Sequence, residues 1–177
     1  MGKRSRSPLA VLGLLGKTKL TGYAIKTWFS KPGSVYWNES YGQIYPALKS
    51  LVDLGLVEQI TPEDASDAPR PTAKYYAITD AGQAELARWL RKPIGTTSTR
   101  DEIALRVSFG EHVNPEIIRG LLESERDRVI KALEELQSEN LDGSDAFRQM
   151  SSSWCSRYLD ARLEWCDDCL TRLDELI

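Results

Sequence analysis

The chain has 177 residues, 41 % of them hydrophobic and 28 % charged, with a formal net charge of −3. That supports one or two small domains, each needing a partner to bury its apolar surface, and no apolar run reaches the roughly 18 residues of a membrane span. Three cysteines, an odd number, argue against a secreted disulfide framework, so a soluble cytoplasmic protein is expected. The charge is uneven. Residues 1–92 hold 13 Lys/Arg and 8 Asp/Glu, whereas residues 93–177 hold 10 and 18. Halves of opposite sign suggest a basic partner-binding module on an acidic body.

The chain opens on a short basic arm, Gly2 to Ser7, either a solvated terminus or a phosphate-contacting tail. Ser7 caps a first helix with Pro8 at its first position. Leu9, Leu12, Leu14 and Leu15 bury it, and Gly16 ends it. Leu20-Thr21-Gly22-Tyr23 opens a second helix that runs to about Ser30. Ala24, Ile25, Trp28 and Phe29 recur at one-turn spacing, with Lys26 on the other face. Lys31-Pro32-Gly33 breaks it, and Ser34 to Trp37 reads as an extended link. Asn38, Glu39 or Ser40 caps a third helix. Pro46 sits early in that helix and implies a start near Gly42 or Gln43. Ile44, Leu48, Leu51 and Val52 share its apolar face, and Gly55 is its stop. Tyr41, Gln43, Tyr45 and Lys49 lie away from that face, with Tyr45 readable either as core or as front.

Leu56 to Ile60 alternates like a half-buried strand. A polar stretch from Thr61 to Thr72 follows, then a returning strand, Lys74 to Ile78. Together they read as a hairpin with a long connection, flanked on its return by Arg70 and Lys74. Thr79 or Asp80 caps the next helix, with Leu86, Trp89 and Leu90 as its buried side. Three helices and a hairpin in this order make a winged helix, the helix-turn-helix arrangement whose second helix enters the major groove. On that fold Lys26, Lys49, Arg70 and Lys74 are the candidate phosphate contacts. Gln43, Tyr41 or Tyr45 would read base edges, glutamine being able to pair bidentately with adenine. Tyr23 and Ser40 complete the candidate DNA-binding set.

Four runs now stand in order: Leu9-Ala10-Val11-Leu12-Gly13-Leu14-Leu15; Thr21-Gly22-Tyr23-Ala24-Ile25; Gly42-Gln43-Ile44-Tyr45-Pro46-Ala47-Leu48-Lys49-Ser50-Leu51 with Leu54-Gly55-Leu56-Val57; and Lys74-Tyr75-Tyr76-Ala77-Ile78-Thr79-Asp80-Ala81-Gly82. In sequence and spacing they resemble the motifs of the PadR family of bacterial transcriptional regulators over residues 8–92. Thr21 stands where that family usually has histidine. The wing, Ala68-Pro69-Arg70-Pro71-Thr72-Ala73-Lys74, departs from the usual Gly-Arg-Pro-Arg-Lys pattern at one basic position. The resemblance implies a DNA-binding regulator, most often a repressor, and many family members respond to aromatic or planar compounds.

In the acidic half, Pro93 to Ser98 reads as a linker, and Arg100 to Phe109 as a short helix with Ile103, Leu105, Val107 and Phe109 as its apolar set. Gly110 interrupts it. Asn114 caps the next helix with Pro115 at its first position, and its stripe is Ile118, Leu122, Val129, Ala132 and Leu136. The last helix runs from Ser144 or Asp145 to Ile177. Leu159, Leu163, Cys166, Leu170, Leu173 and Ile177 step 4-3-4-3-4, a seam of coiled-coil type. Trp154, Tyr158, Trp165 and Cys169 lie beside it. This helix is expected to pack on its own subunit and on a second copy, and Trp154, Tyr158 and Trp165 are candidates for an effector pocket. The fold class is therefore mainly α with a small β-hairpin. A winged helix over residues 1–92 is joined to a helical dimerisation domain, which is also the candidate effector-binding region, over residues 99–177.

No nucleophile–base pair, glycine-rich phosphate loop or metal constellation appears, so neither an enzyme nor a cofactor is expected. Cys166 and Cys169 read as packed thiols, and His112 as a surface or capping residue. The expected partners are double-stranded DNA with a roughly palindromic operator, a second copy of the chain and an aromatic small molecule, with no membrane. The alternative is a winged-helix protein-interaction module without DNA binding.

Overall fold

A computed structural model of the chain describes residues 7–31, 35–37, 40–61, 73–94, 100–138 and 146–175. The chain divides into two compact units, Met1–Gly95 and Thr96–Ile177.

The N-terminal unit contains α1 (Ser7–Leu15), β1 (Leu20–Thr21), α2 (Gly22–Phe29), α3 (Tyr41–Asp53), β2 (Val57–Ile60), β3 (Tyr75–Ile78) and α4 (Asp80–Leu90). Its core forms where α1, α2 and α3 meet, from Val11, Leu12, Leu15, Ile25, Phe29, Ile44, Leu48 and Leu51, closed by Val57 from β2. Trp28 and Trp37 pack on its margin, and the Trp28 ring meets Phe29 edge-on at 5.0 Å. The sheet has three strands rather than the two of a bare hairpin, in the order β1-β3-β2. Leu20 and Thr21, which the sequence reads as the start of the second helix, pair antiparallel with Tyr76 and Tyr75. A two-residue strand is too short to show alternation, so no periodicity marks it. Thr21 serves both elements: it pairs in the sheet, and its hydroxyl accepts the Ala24 N–H at 3.1 Å to cap α2.

β2 and β3 pair antiparallel from Val57↔Ile78 to Ile60↔Tyr75. This puts Val57, Tyr75 and Ala77 inward. Gly55 ends α3 in the left-handed region at φ +67, a conformation that costs glycine least. The backbone then turns so that Leu56 N donates to Leu51 O at 2.9 Å. Thr79 caps α4 through the Gly82 N–H at 3.1 Å and also donates its hydroxyl hydrogen to Gly55 O at 2.7 Å. That bond ties the helix stop of α3 to the start of α4. Gly82 lies so close to Leu56 O that any β-carbon there would overlap the carbonyl. On α4, Leu86 and Trp89 are partly covered, but Leu90 is 68 % exposed and does not belong to the buried side expected of it. It falls in the last turn, beyond the last contact of the helix with the core.

The C-terminal unit contains α5 (Glu102–Val107), a single 3-10 turn at Gly110–His112, α6 (Pro115–Ser138) and α7 (Ala146–Asp174). Asp101 caps α5 by accepting the Ala104 N–H at 3.1 Å, and Asn114 accepts the Glu116 N–H at 3.0 Å at the start of α6. Ile103 and Val107 pack on the α6–α7 core around Ile118, Leu122 and Cys166, whereas Leu105 and Phe109 are exposed. The expected apolar set of α5 stepped by two. A helix repeats every 3.6 residues, so only half of such a set can face inward. On α6, Leu133 is buried and Ala132 is only partly covered, which reverses the sequence assignment by one residue.

α6 and α7 run antiparallel, and ion pairs cross between the first half of α6 and the second half of α7: Arg119 with Asp174 at 2.7 Å, Arg126 with Asp167 at 2.6 Å, and Arg162 with Glu125 at 2.9 Å. Arg162 also donates to the Asp101 carboxylate, so one side chain joins α7 to α6 and to the cap of α5. Its guanidinium lies over the Trp165 ring, 5.2 Å from the centroid. Burial works against the Arg162 charge, but the hydrogen bonds to Asp101 and Glu125 outweigh it and raise its pKa. The Arg162 hydrogen bond holds the Asp101 carboxyl below its usual range, and Arg128 followed by Arg162 does the same for Glu125. No spacing rule links residues 101, 125 and 162, so this cluster is invisible in the sequence.

Candidate nucleic-acid interface

α3 has two faces set by its own sequence. Ile44, Ala47, Leu48 and Leu51 are buried against α1, α2 and β2. Val52, assigned to that face by the sequence, is exposed, and Ala47 takes its place. At 3.6 residues per turn, Val52 falls about 80° from Ile44, past the edge of a stripe centred between Leu48 and Ala47. The helix begins at Tyr41, earlier than Pro46 suggested, so the proline sits sixth. The N–H it lacks is the one that would bond the Gly42 carbonyl. Both residues are exposed, so water reaches that carbonyl and the cost of the proline is reduced.

Ser40 is the N-cap of α3, as one of the three expected candidates. Its backbone N–H and its hydroxyl both donate to Gln43 Oε1 at 3.0 Å, part of a capping-box arrangement. The amide oxygen that a bidentate adenine contact requires is therefore already occupied. Tyr45 is 49 % exposed, which places it on the front rather than in the core. Its ring lies over Gly22 at the start of α2. On an ideal helix Tyr45 and Gln43 are about 160° apart, so they flank the front from opposite sides, with Lys49 one turn beyond Tyr45. Tyr76 of β3 is close enough to feel Tyr45: burial first, and then Tyr45, pushes its hydroxyl pKa up.

From α2, Tyr23 is exposed and Lys26 is partly covered, its ammonium donating to Ser30 Oγ at 2.7 Å. Lys49 and Lys74 are exposed. Tyr41 contributes the first residue of α3, Arg70 lies outside the described residues, and so does the basic arm through Arg6. The N-terminal unit thus carries Tyr23 and Lys26 on α2, Ser40, Gln43, Tyr45 and Lys49 at the start of and along α3, and Lys74 just before β3. Sequence reasoning missed Gly22. The signal was a glycine at the first position of a helix where any small residue satisfies the backbone.

On α7 the expected seam is largely consumed within the chain. Leu159 is 1 % exposed and Cys166 0 %, and Leu170 and Leu173 pack on the core that Cys166 shares with α6. Leu163 is partly covered. Leu159 and Cys166, assigned to a dimer interface, therefore have no surface left for a partner. A 4-3 stripe records only that something packs there, and here α6 satisfies it. The uncovered apolar residues of α7 are instead Phe147, Met150, Trp154 and Tyr158, which step 3-4-4 along its first half. The Trp154 and Tyr158 rings are stacked, 5.3 Å between centroids and 8° between planes. Trp165 does not join them, because it packs on the α6–α7 core under Arg162. All three cysteines are free thiols. Burial pushes Cys166 and Cys169 up, away from the reactive thiolate form. Among the described residues no cluster of His, Cys, Asp and Glu is arranged to hold a metal, and His112 is exposed beside Glu111.

Residues 11–88 match the transcriptional regulator PadR-like family, and residues 99–174 match the virulence activator alpha C-term family. The negative transcriptional regulator PadR of Bacillus subtilis is 38 % identical over 102 residues, 56 % of this chain and 54 % of that protein. The chain spans about half the length of the curated relatives it matches. A PadR-like transcriptional regulator from Bacillus cereus has a similar structure, with a TM-score of 0.78 at 24 % identity, covering 97 % of this chain and 99 % of that one. Bacillus subtilis PadR solved with operator DNA gives a TM-score of 0.76 at 24 % identity, with the same coverages. The same protein solved with p-coumaric acid gives 0.68 at 24 % identity, covering 96 % and 99 %.

Proposed function

We propose, from the match of residues 11–88 to the PadR-like family of transcriptional regulators and of residues 99–174 to the virulence activator alpha C-term family, that the chain binds double-stranded DNA sequence-specifically as a homodimeric repressor relieved by a small aromatic effector. The observation that carries the DNA reading is α3: Ile44, Ala47, Leu48 and Leu51 hold it from behind, and Tyr45 and Lys49 stand on its opposite, exposed side. In this reading α3 lies in the major groove. Lys26, Lys49 and Lys74 contact phosphates and set the register. Tyr45 approaches the bases, while Gln43 holds the start of the helix. The excess of Lys/Arg over Asp/Glu in residues 1–92 supplies the long-range attraction.

Repression is supported by the name of the Bacillus subtilis relative, a negative regulator, and an aromatic effector by the p-coumaric acid held by that relative in its solved structure. The exposed stripe Phe147, Met150, Trp154 and Tyr158 supports a dimer seam on the first half of α7, because an apolar row of this kind is normally covered. The stacked Trp154–Tyr158 pair offers a planar guest an aromatic face at that seam.

Fluorescence anisotropy with the chain's own promoter region tests the central reading. Nanomolar binding that weakens steeply as salt rises is the expected result, and indifference to DNA at low salt would sink it. For the effector, quenching of tryptophan fluorescence by phenolic acids should be lost in Trp154→Ala. Quenching that survives the substitution would move the site elsewhere.

A further inference from the structure

Gly22 is buried, although it is the first residue of a helix whose next residue, Tyr23, is exposed. What covers it is the ring of Tyr45. A β-carbon built on Gly22 would stand 2.8 Å from Tyr45 Cε1, 3.0 Å from Cζ and 3.1 Å from the hydroxyl oxygen. Side-chain carbons do not approach one another that closely, so the ring occupies the space that any other residue's side chain would need. The backbone gives no reason for glycine here: the only positive φ in the described chain is at Gly55. Thr21 before it is fixed twice, by pairing with Tyr75 and by capping α2. Glycine loses more backbone freedom on folding than alanine does. Glycine at this position therefore carries a local entropic cost, and among the described residues the contact with Tyr45 is the feature that requires it.

The obstructing atoms belong to the far end of a side chain that is half exposed. A methyl group at position 22 would therefore move the ring and leave the fold in place.

Resting on the DNA reading above, we propose that Gly22 is a positioning residue for the interface: its missing side chain seats the Tyr45 ring against the start of α2 and so fixes the direction in which α3 presents that ring to the bases. α2 then sets the specificity of α3 as well as supporting it, through one steric contact.

The test is a double-mutant cycle on the full chain with Gly22→Ala, Tyr45→Ala and the pair. The DNA probe is a duplex that the wild-type chain selects from a random pool, with a scrambled duplex as control. Thermal melting is recorded for every variant. Gly22→Ala should melt at or above the wild-type temperature yet bind the selected duplex about tenfold more weakly, equivalent to about 1.4 kcal/mol. Its binding to the scrambled duplex should be unchanged. In the Tyr45→Ala background, Gly22→Ala should cost nothing further, because no ring remains to displace. Additive losses in the cycle would overturn the proposal, as would a Gly22→Ala variant that unfolds even when Tyr45 is alanine, since both would place the requirement in the backbone. If the wild-type chain selects no duplex at all, the DNA reading itself falls and the use of the ring falls with it. That outcome is distinct from wild-type selection with an additive cycle.

Discussion

The Gln43 amide can hold the start of α3 or pair with adenine, and the two roles have measurable and separable consequences. Read from sequence, its amide pairs with adenine, Oε1 accepting from the base and Nε2 donating to it. In the structure Oε1 accepts from both the N–H and the hydroxyl of Ser40 at 3.0 Å. Removing the amide by Gln43→Ala frees the cap, a loss of about 1 kcal/mol by analogy with N-cap substitutions. For a unit of this size that lowers the melting temperature by roughly 4–8 °C. A base reader would behave differently: its loss would cost about 1–3 kcal/mol at one base pair per half-site and leave melting almost unchanged. The expected result for Gln43→Ala is therefore earlier melting of the N-terminal unit, with binding weakened alike on every single-base variant of the operator. Two assays decide it, calorimetric melting and anisotropy against a panel of singly substituted duplexes. Collapse of preference at one position with unaltered melting would refute the capping role and restore Gln43 as the reader.

Three further predictions follow from other residues. Lys49→Ala should weaken binding to all sequences equally and flatten the salt slope by about one unit, as expected for one lost phosphate contact; a changed base preference would refute that assignment. Asp101 and Glu125 have depressed folded pKa values, so below about pH 4.3 the unfolded chain binds more protons than the folded one, and stability falls as pH falls through that window. Arg162→Leu should lower the melting temperature at pH 7 and flatten the acid limb of the C-terminal unit, and a variant that retains the full acid slope would show that the cluster does not cause it. Trp154→Arg, which places a charge in the exposed stripe of α7, should convert a dimer to monomer in sedimentation velocity, whereas an unchanged dimer would move the seam off this face.

The architecture of the N-terminal unit was legible because its signals are local. The Gly55 stop, the Thr79 cap and the 3.6-residue stripe of Ile44, Leu48 and Leu51 each depend only on neighbours in sequence. The sequence is silent where a residue's role depends on a distant element. β1 exists because Tyr75 and Tyr76 pair with it. Gly22 is glycine because a ring 23 positions later lies on it. The 4-3 seam of α7 marks an apolar face, but a heptad pattern cannot say whether α6 or a second copy fills it, and within the chain Leu159 and Cys166 are already buried. The Asp101–Glu125–Arg162 cluster had no sequence signal at all. Of the candidate DNA contacts, Tyr45 and Lys49 emerged on the front of α3 as periodicity suggested, while Gln43 was engaged by a capping partner three residues away.

Selection of bound duplexes from a random-sequence pool, followed by sequencing, shows whether two copies of α3 read one duplex together. If they do, the enriched site is roughly palindromic, with half-sites about 10–10.5 bp apart, one turn of DNA. Recovery of no enriched motif, or of a single unrepeated half-site, would contradict that reading.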